Sequence, residues 1–243
     1  MINKQNKIIT KDMKMFDVIL NNHLMITVLE RFGINLGFNE KTVDSLCHAN
    51  KISTKVFLSI SNLYNDLECI TDIDFNYKDI QSIIQYLKNS HKYYLEEKYQ
   101  EIIDNILLMY NINKTSETIM VNEFFKEYTK EVMDHINYEN NIVFPYINNL
   151  FDKIKGKNNK YKNNNYSVID YKKHHNDIEE KLTDIKNLLI KYLPQKNDKS
   201  VRRKILFDLF ELEYDLSIHQ KIENNILIPI VEKMELEIKK NKL

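Results

Sequence analysis

The sequence repeats itself at an offset of 84 residues: His135, Glu139, Asn140, Asn141, Ile142 and Pro145 return as His219, Glu223, Asn224, Asn225, Ile226 and Pro229. The same shift carries His91 onto His175. Each half therefore supplies one lone histidine and, 44 residues later, a His-x-x-x-Glu pair. Four histidines and two glutamates repeated as a set are the ligand inventory of a paired-metal site in a helical bundle.

Helix neighbours recur at steps of three and four, so a ladder of such steps marks one face. One ladder runs Phe125, Tyr128, Val132, His135, Glu139, Ile142, Tyr146, and its copy runs Leu209, Leu212, Leu216, His219, Glu223, Ile226, Ile230. Every rung except the His and Glu is apolar or aromatic. These four residues thus interrupt core seams. Burying an ionised carboxylate without a partner costs several kcal/mol, against a whole-domain stability of roughly 5–15 kcal/mol. A cation must compensate, and a metal pair does so directly.

The lone histidines follow the same pattern. Ile84, Leu87, His91, Leu95 form one stripe, and Val168, Tyr171, His175, Ile178, Leu182, Ile185, Leu189 form the other. A single histidine in such a stripe reads as a hydrogen-bonded core residue; the matched set reads as ligands. His174 also follows Tyr171 by one turn, but its ladder continues to Lys181, whereas that of His175 continues to Leu182. His175 is therefore the inward ligand, and His174 a group that supports it or lines a channel.

Three glycines and three prolines in 243 residues leave too few turn formers for a hairpin-built sheet protein, while long Leu-, Ile-, Glu- and Lys-rich segments favour helices. The fold class is all-α. With 35 basic and 35 acidic residues the formal charge is zero, which argues against nucleic acid as a partner. No signal peptide and no apolar run of about 18 residues is evident, so no membrane partner is expected and a cytoplasmic location is. Cys47 and Cys69 match no zinc spacing and read as reduced thiols.

Residues 1–70 form a small helical N-terminal module, with amphipathic pieces at Met15–Phe32, Thr42–Ala49 and Ser53–Tyr64, punctuated at Gly33 and Gly37. Asp66–Tyr77 reads as a linker. Residues 71–243 then hold four long helices, near 78–110, 118–151, 167–192 and 199–240, with an exposed loop over 152–166. The expected architecture is an up-down-up-down four-helix bundle made of two related hairpins.

In that bundle His135 with Glu139, and His219 with Glu223, each present a nitrogen and a carboxylate to one cavity. The inferred centre holds two metal ions, with Glu139 and Glu223 bridging and His91, His135, His175 and His219 as terminal ligands. Imidazole and carboxylate donors without thiolate suit iron or manganese; the nitrogen-rich set favours two iron ions, with zinc chemically allowed. Six-coordinate ions retain positions for an oxo or hydroxo bridge and for dioxygen or nitric oxide. Glu131 and Asp215, each one turn before a ligand histidine, either orient the ligands or are solvated acids. Tyr94, Tyr128 and Tyr171 flank the cavity or pack the core.

With these motifs in place, the chain resembles the hemerythrin-like di-iron proteins from about Lys78 to the C-terminus. Oxygen-carrying members add a fifth histidine one turn after the third-helix ligand, where Glu179 stands here, and end their last motif in Asp with one more residue of spacing. The four-His, two-Glu pattern is similar instead to the repair-of-iron-centres family, as is the segment Phe16–Phe38 with its short helical module. That family commonly carries adjacent cysteines just after the Gly-Ile turn, where this chain has Leu36, Gly37 and Phe38, and a glutamate where His174 stands. The resemblance implies a metal-binding stress-response protein more than a turnover enzyme. Its clients would be iron–sulfur proteins damaged by oxidative or nitrosative stress, restored by donated iron or by another route. The alternatives are a non-enzymatic binder or sensor of dioxygen or nitric oxide, and a redox catalyst. A homodimer stays open.

Overall fold

The computed structural model describes residues 7–65, 75–157, 166–174 and 180–240. Among them the chain is all-α: no strand forms, and extended pairing is confined to an isolated antiparallel bridge between Lys14 and Thr42. No helix among the described residues is long and apolar enough to cross a membrane.

The first helices are short: α1 (Met15–Asn21), α2 (Met25–Arg31), α3 (Val43–Ala49) and α4 (Thr54–Leu63). The single piece expected over Met15–Phe32 is broken at Asn22, whose side chain accepts from the Leu24 N–H at 3.0 Å and donates to the Tyr64 carbonyl at 2.7 Å. An Asn side chain that serves local backbone groups competes with helix continuation. Gly33, at φ +71°, then closes α2: its N–H bonds Glu30 O, and the Ile34 N–H bonds Leu29 O. This left-handed closure favours glycine and buries Ile34 against Leu29's end of the helix. Thr42 and Ser53 cap α3 and α4 by accepting from Ser45 and Val56 N–H groups.

The remaining helices are α5 (Asp79–Tyr93), α6 (Tyr99–Asn113), α7 (Ser116–Tyr138), α8 (Phe144–Ile154), α9 (Val168–His174), α10 (Glu180–Asn187), α11 (Lys199–Ile222) and α12 (Ile228–Lys240). Three π-helical turns splice them into longer rods: Tyr94–Lys98 between α5 and α6, Glu139–Val143 between α7 and α8, and Glu223–Leu227 between α11 and α12. A fourth, Leu188–Tyr192, ends α10. The expected helices thus appear as 79–113, 116–154, 168–174 with 180–192, and 199–240. Residues 175–179, most of the expected linker (66–74) and much of the expected loop (158–165) lie outside the described residues.

The chain divides into two compact units. The first comprises 1–90, 147–161 and 218–243. In it, α2 attaches to the start of α5: the Phe32 and Tyr86 rings stand 4.8 Å apart, and the buried Arg31 guanidinium lies over Tyr86 and donates to the Tyr64 hydroxyl at 2.6 Å. Asn89 donates to the Arg31 carbonyl at 2.6 Å. Cys47 is a free, buried thiol whose pKa burial pushes up to about 12, so it is no nucleophile.

The second unit comprises 91–146 and 162–217. Its core is shared by four helical segments, through Ile102 and Ile106 of α6, Phe125 and Val132 of α7, Ile185 of α10 and Leu209 of α11. Lys114, in the left-handed region, and a capping box between Thr115 and Thr118 turn α6 into α7. The turn into α11 is held by Arg202, which pairs with Asp198 at 2.7 Å and donates to the carbonyls of Leu189, Leu193 and Pro194.

Candidate metal centre

His91 lies on α5, two turns from the buried Ile84 and one from Leu87, and is itself buried. His135 lies near the end of α7, on the face of Phe125, Tyr128 and Val132. Glu139 follows it by one turn and opens the π-helical segment, closed by the Phe144 N–H bonding Glu139 O. A π turn within an α-helix is rare and recurs at functional positions. Beyond it the expected inward residue Ile142 is half-buried, and its neighbour Val143 takes the buried position.

Glu139 is fully buried and sits between two imidazoles. His91 Nε2 lies 3.2 Å from Oε2, and His135 Nε2 lies 3.2 Å from Oε1. Tyr171 of α9 donates its hydroxyl to Oε1 at 3.0 Å. Oε2, by contrast, makes no hydrogen bond of good geometry among the described residues. On the far side of the His91 ring, Nδ1 contacts Asn140 Oδ1 at 3.1 Å, and Phe144 stacks on the ring at 5.7 Å. These contacts leave Nε2 directed at the carboxylate. Burial by itself raises the Glu139 carboxyl, but the close imidazoles of His135 and His91 outweigh it and hold the group well below its ordinary value.

The second copy repeats the local arrangement in the first unit. His219 Nε2 lies 3.4 Å from Glu223 Oε1, both residues are buried, and the π turn is closed by the Ile228 N–H bonding Glu223 O. Within the second unit, His91 and His135 each place Nε2 3.2 Å from an oxygen of the buried Glu139 carboxylate, a donor set that could hold a metal ion. The donor chemistry fits such an ion. Two donors at about 2.1 Å from one metal and at right angles to each other stand about 3.0 Å apart, close to the spacings around Glu139. A buried carboxylate oxygen without a well-formed hydrogen bond has a direct use as a ligand atom.

Of the residues read from the sequence as ligands, His91 and His135 both meet Glu139 in the second unit, and Glu223 meets His219 in the first. His175 lies outside the described residues. Glu131 does not support a ligand: it is more than half exposed and pairs with Lys181 on the surface. Asp215 is buried, as are Tyr94 and Tyr128, which join the aromatic core around Tyr99. Three features escaped the sequence reading. Tyr171 proves to be a donor to Glu139, although an inward tyrosine in an apolar stripe gives no sign of where its hydroxyl ends. Asn140 contacts His91, and its recurrence as Asn224 was the available signal. Two of the π turns, those opened by Glu139 and Glu223, were marked by prolines recurring inside otherwise helical ladders.

The sequence matches no protein-family model and no curated protein.

Proposed function

We propose that the chain is a hemerythrin-like four-helix bundle whose centre holds two iron ions between His91, His135, Glu139, His175, His219 and Glu223, and that it helps restore iron–sulfur centres damaged by oxidative or nitrosative stress. The observation that carries the reading is Glu139: a fully buried carboxylate set between two imidazoles at metal-ligand spacing. Evolution-independent physics supports a cation there, because uncompensated carboxylates and imidazoles in a core are costly. The duplicated motif supports a second ion. When bound, the ions would supply an exchangeable store of ferrous iron and open positions for a small diatomic ligand. The chain's own residues hold, orient and shield: Tyr171 and Asn140 fix the ligands' orientation, and Phe144 covers one face of His91. The free, buried Cys47 fits a reducing compartment, in keeping with a cytoplasmic location.

The experiment is metal analysis with a repair assay. Protein loaded anaerobically with iron(II) is expected to retain about two irons per chain and to restore activity to an iron–sulfur enzyme whose cluster has been damaged by peroxide or nitric oxide. Glu139→Leu should lose both properties. Iron binding without repair would sink the repair reading, and absence of any bound metal would sink the centre itself.

A second reading, a binder or sensor of dioxygen or nitric oxide, is favoured by one contact. Asn89, two residues before His91 on the same helix, holds the Arg31 carbonyl of the N-terminal module. A change at His91 would have a short mechanical path to that module. Reversible spectral change on gas binding, without loss of iron, is its signature.

A further inference from the structure

All three prolines of the chain, Pro145, Pro194 and Pro229, stand two residues beyond the last residue of a π-helical turn. Proline has no N–H to donate, and in an α-helix its ring collides with the carbonyl four residues back. At Pro145 and Pro229, which sit inside α8 and α12, a wider turn upstream relieves that collision; Pro194 lies past the end of its helix, and the π turn Tyr94–Lys98 forms without a proline. The residue before each proline then donates five residues back: Phe144 to Glu139 O, Leu193 to Leu188 O and Ile228 to Glu223 O. Two of those three acceptors are the carbonyls of the candidate ligand glutamates. The backbone that carries each carboxylate is therefore the part that the proline displaces.

We propose that Pro145 and Pro229 are positioning residues of the metal centre, each locking the π turn that aims its glutamate. The proposal rests on the dimetal reading above. A π turn holds one residue more than an α-turn, so reversion to α-helix would rotate the glutamate by about 100° against the segment that follows. Glu139 could not then keep its approach to both His91 and His135, nor Glu223 its approach to His219. The motif's conserved order in both copies, His, Glu and then Pro six residues after the Glu, becomes one device: two ligands and the residue that sets the angle between them. In each copy the device is local, contained within a single pair of spliced helices.

The test uses full-length Pro145→Ala, Pro229→Ala and the double variant, with Pro194→Ala as control. Pro194 follows a π turn that carries no candidate ligand. Anaerobic iron(II) titration reports affinity, the visible ligand-field bands of cobalt(II)-loaded protein report ligand geometry, and thermal melts of metal-free protein report the fold. The first two variants are expected to melt no lower than wild type without metal, because alanine suits a helix interior better than proline. They should bind iron(II) about tenfold to a hundredfold more weakly and shift the cobalt bands, while Pro194→Ala changes neither. Unchanged affinity and bands in the double variant would overturn the proline role alone. Equal weakening by Pro194→Ala would overturn it as a general structural effect. Wild-type protein that binds neither metal would overturn the dimetal reading, and the proline role with it.

Discussion

The two His-x-x-x-Glu copies share a sequence and a backbone but differ in how deeply the histidine is buried. Each places its glutamate at the opening of a π turn, with the histidine one turn back and a proline beyond. Around Glu139, however, stand His91, His135 and the Tyr171 hydroxyl, while His135 remains 16% exposed. Glu223 Oε1 lies 3.4 Å from His219, and both side chains are almost wholly buried. Duplication of a local motif thus copies the angle at which its His and Glu side chains leave the helix, while the groups that meet Glu139, such as His91 and Tyr171, come from elsewhere in the chain.

The difference predicts unequal roles, and the largest effect should come from removing either glutamate. Glu139→Leu is expected to abolish metal binding, and with it about 2.7 kcal/mol of the stability that metal at a hundredfold excess over its Kd would add. Glu223→Leu should retain part of the metal, since His91, His135 and Glu139 stay in contact. Metal analysis and melts with and without chelator decide this, and equal losses from both variants would erase the asymmetry.

The next effect is a pH dependence specific to the first copy. The Glu139 carboxyl is lowered well below its ordinary 4.5 in the folded protein. A group depressed on folding contributes stability that is full above its unfolded value and is lost as pH falls through the folded one. Metal-free protein should therefore weaken as pH drops below about 4.5, and Glu139→Gln should flatten that part of the curve. Denaturant titrations at stepped pH measure it; an unchanged acid limb in the variant would show that Glu139 is not the group responsible.

A smaller effect is expected from Tyr171→Phe. It removes the hydroxyl that donates to Glu139 Oε1, at a cost of about 0.5–1.5 kcal/mol, and raises the Glu139 carboxyl. The acid limb should shift toward neutral pH accordingly. The smallest effect belongs to Glu131→Gln. Its pairing with Lys181 is exposed, so stability should change by no more than about 1 kcal/mol and metal content not at all. A drop in metal content would return Glu131 to the ligand environment.

Much of this could be read along the chain because helical periodicity is a local property. The inward course of Phe125, Tyr128 and Val132, and of Leu209 and Leu212, is borne out by their burial, as are the near-complete burial of His91, Glu139, His219 and Glu223. Helix ends fell close to their expected places where a short-range cap exists, as at Thr115 and Ser53. The reading weakened where two local preferences compete. At Asn22 a side chain that bonds the backbone ended a helix the apolar pattern would have continued. Past Glu139 the helix runs through a π turn, and Val143 stands at the buried position where Ile142 was expected.

An all-α chain, a duplicated His-x-x-x-Glu motif and the faces on which its residues lie were legible along the chain, because composition, repetition and helical periodicity need no long-range packing to be seen. Only the tertiary structure decided that Tyr171 would reach Glu139, that Asn140 would turn His91, that Glu131 would face solvent beside Lys181, and that Arg31 would be buried among Tyr64, Tyr86 and Asn89. Those outcomes join residues separated by tens of positions. They depend on how whole helices pack and how a long side chain's last polar atom finds its partner, and spacing along one helix carries no record of either.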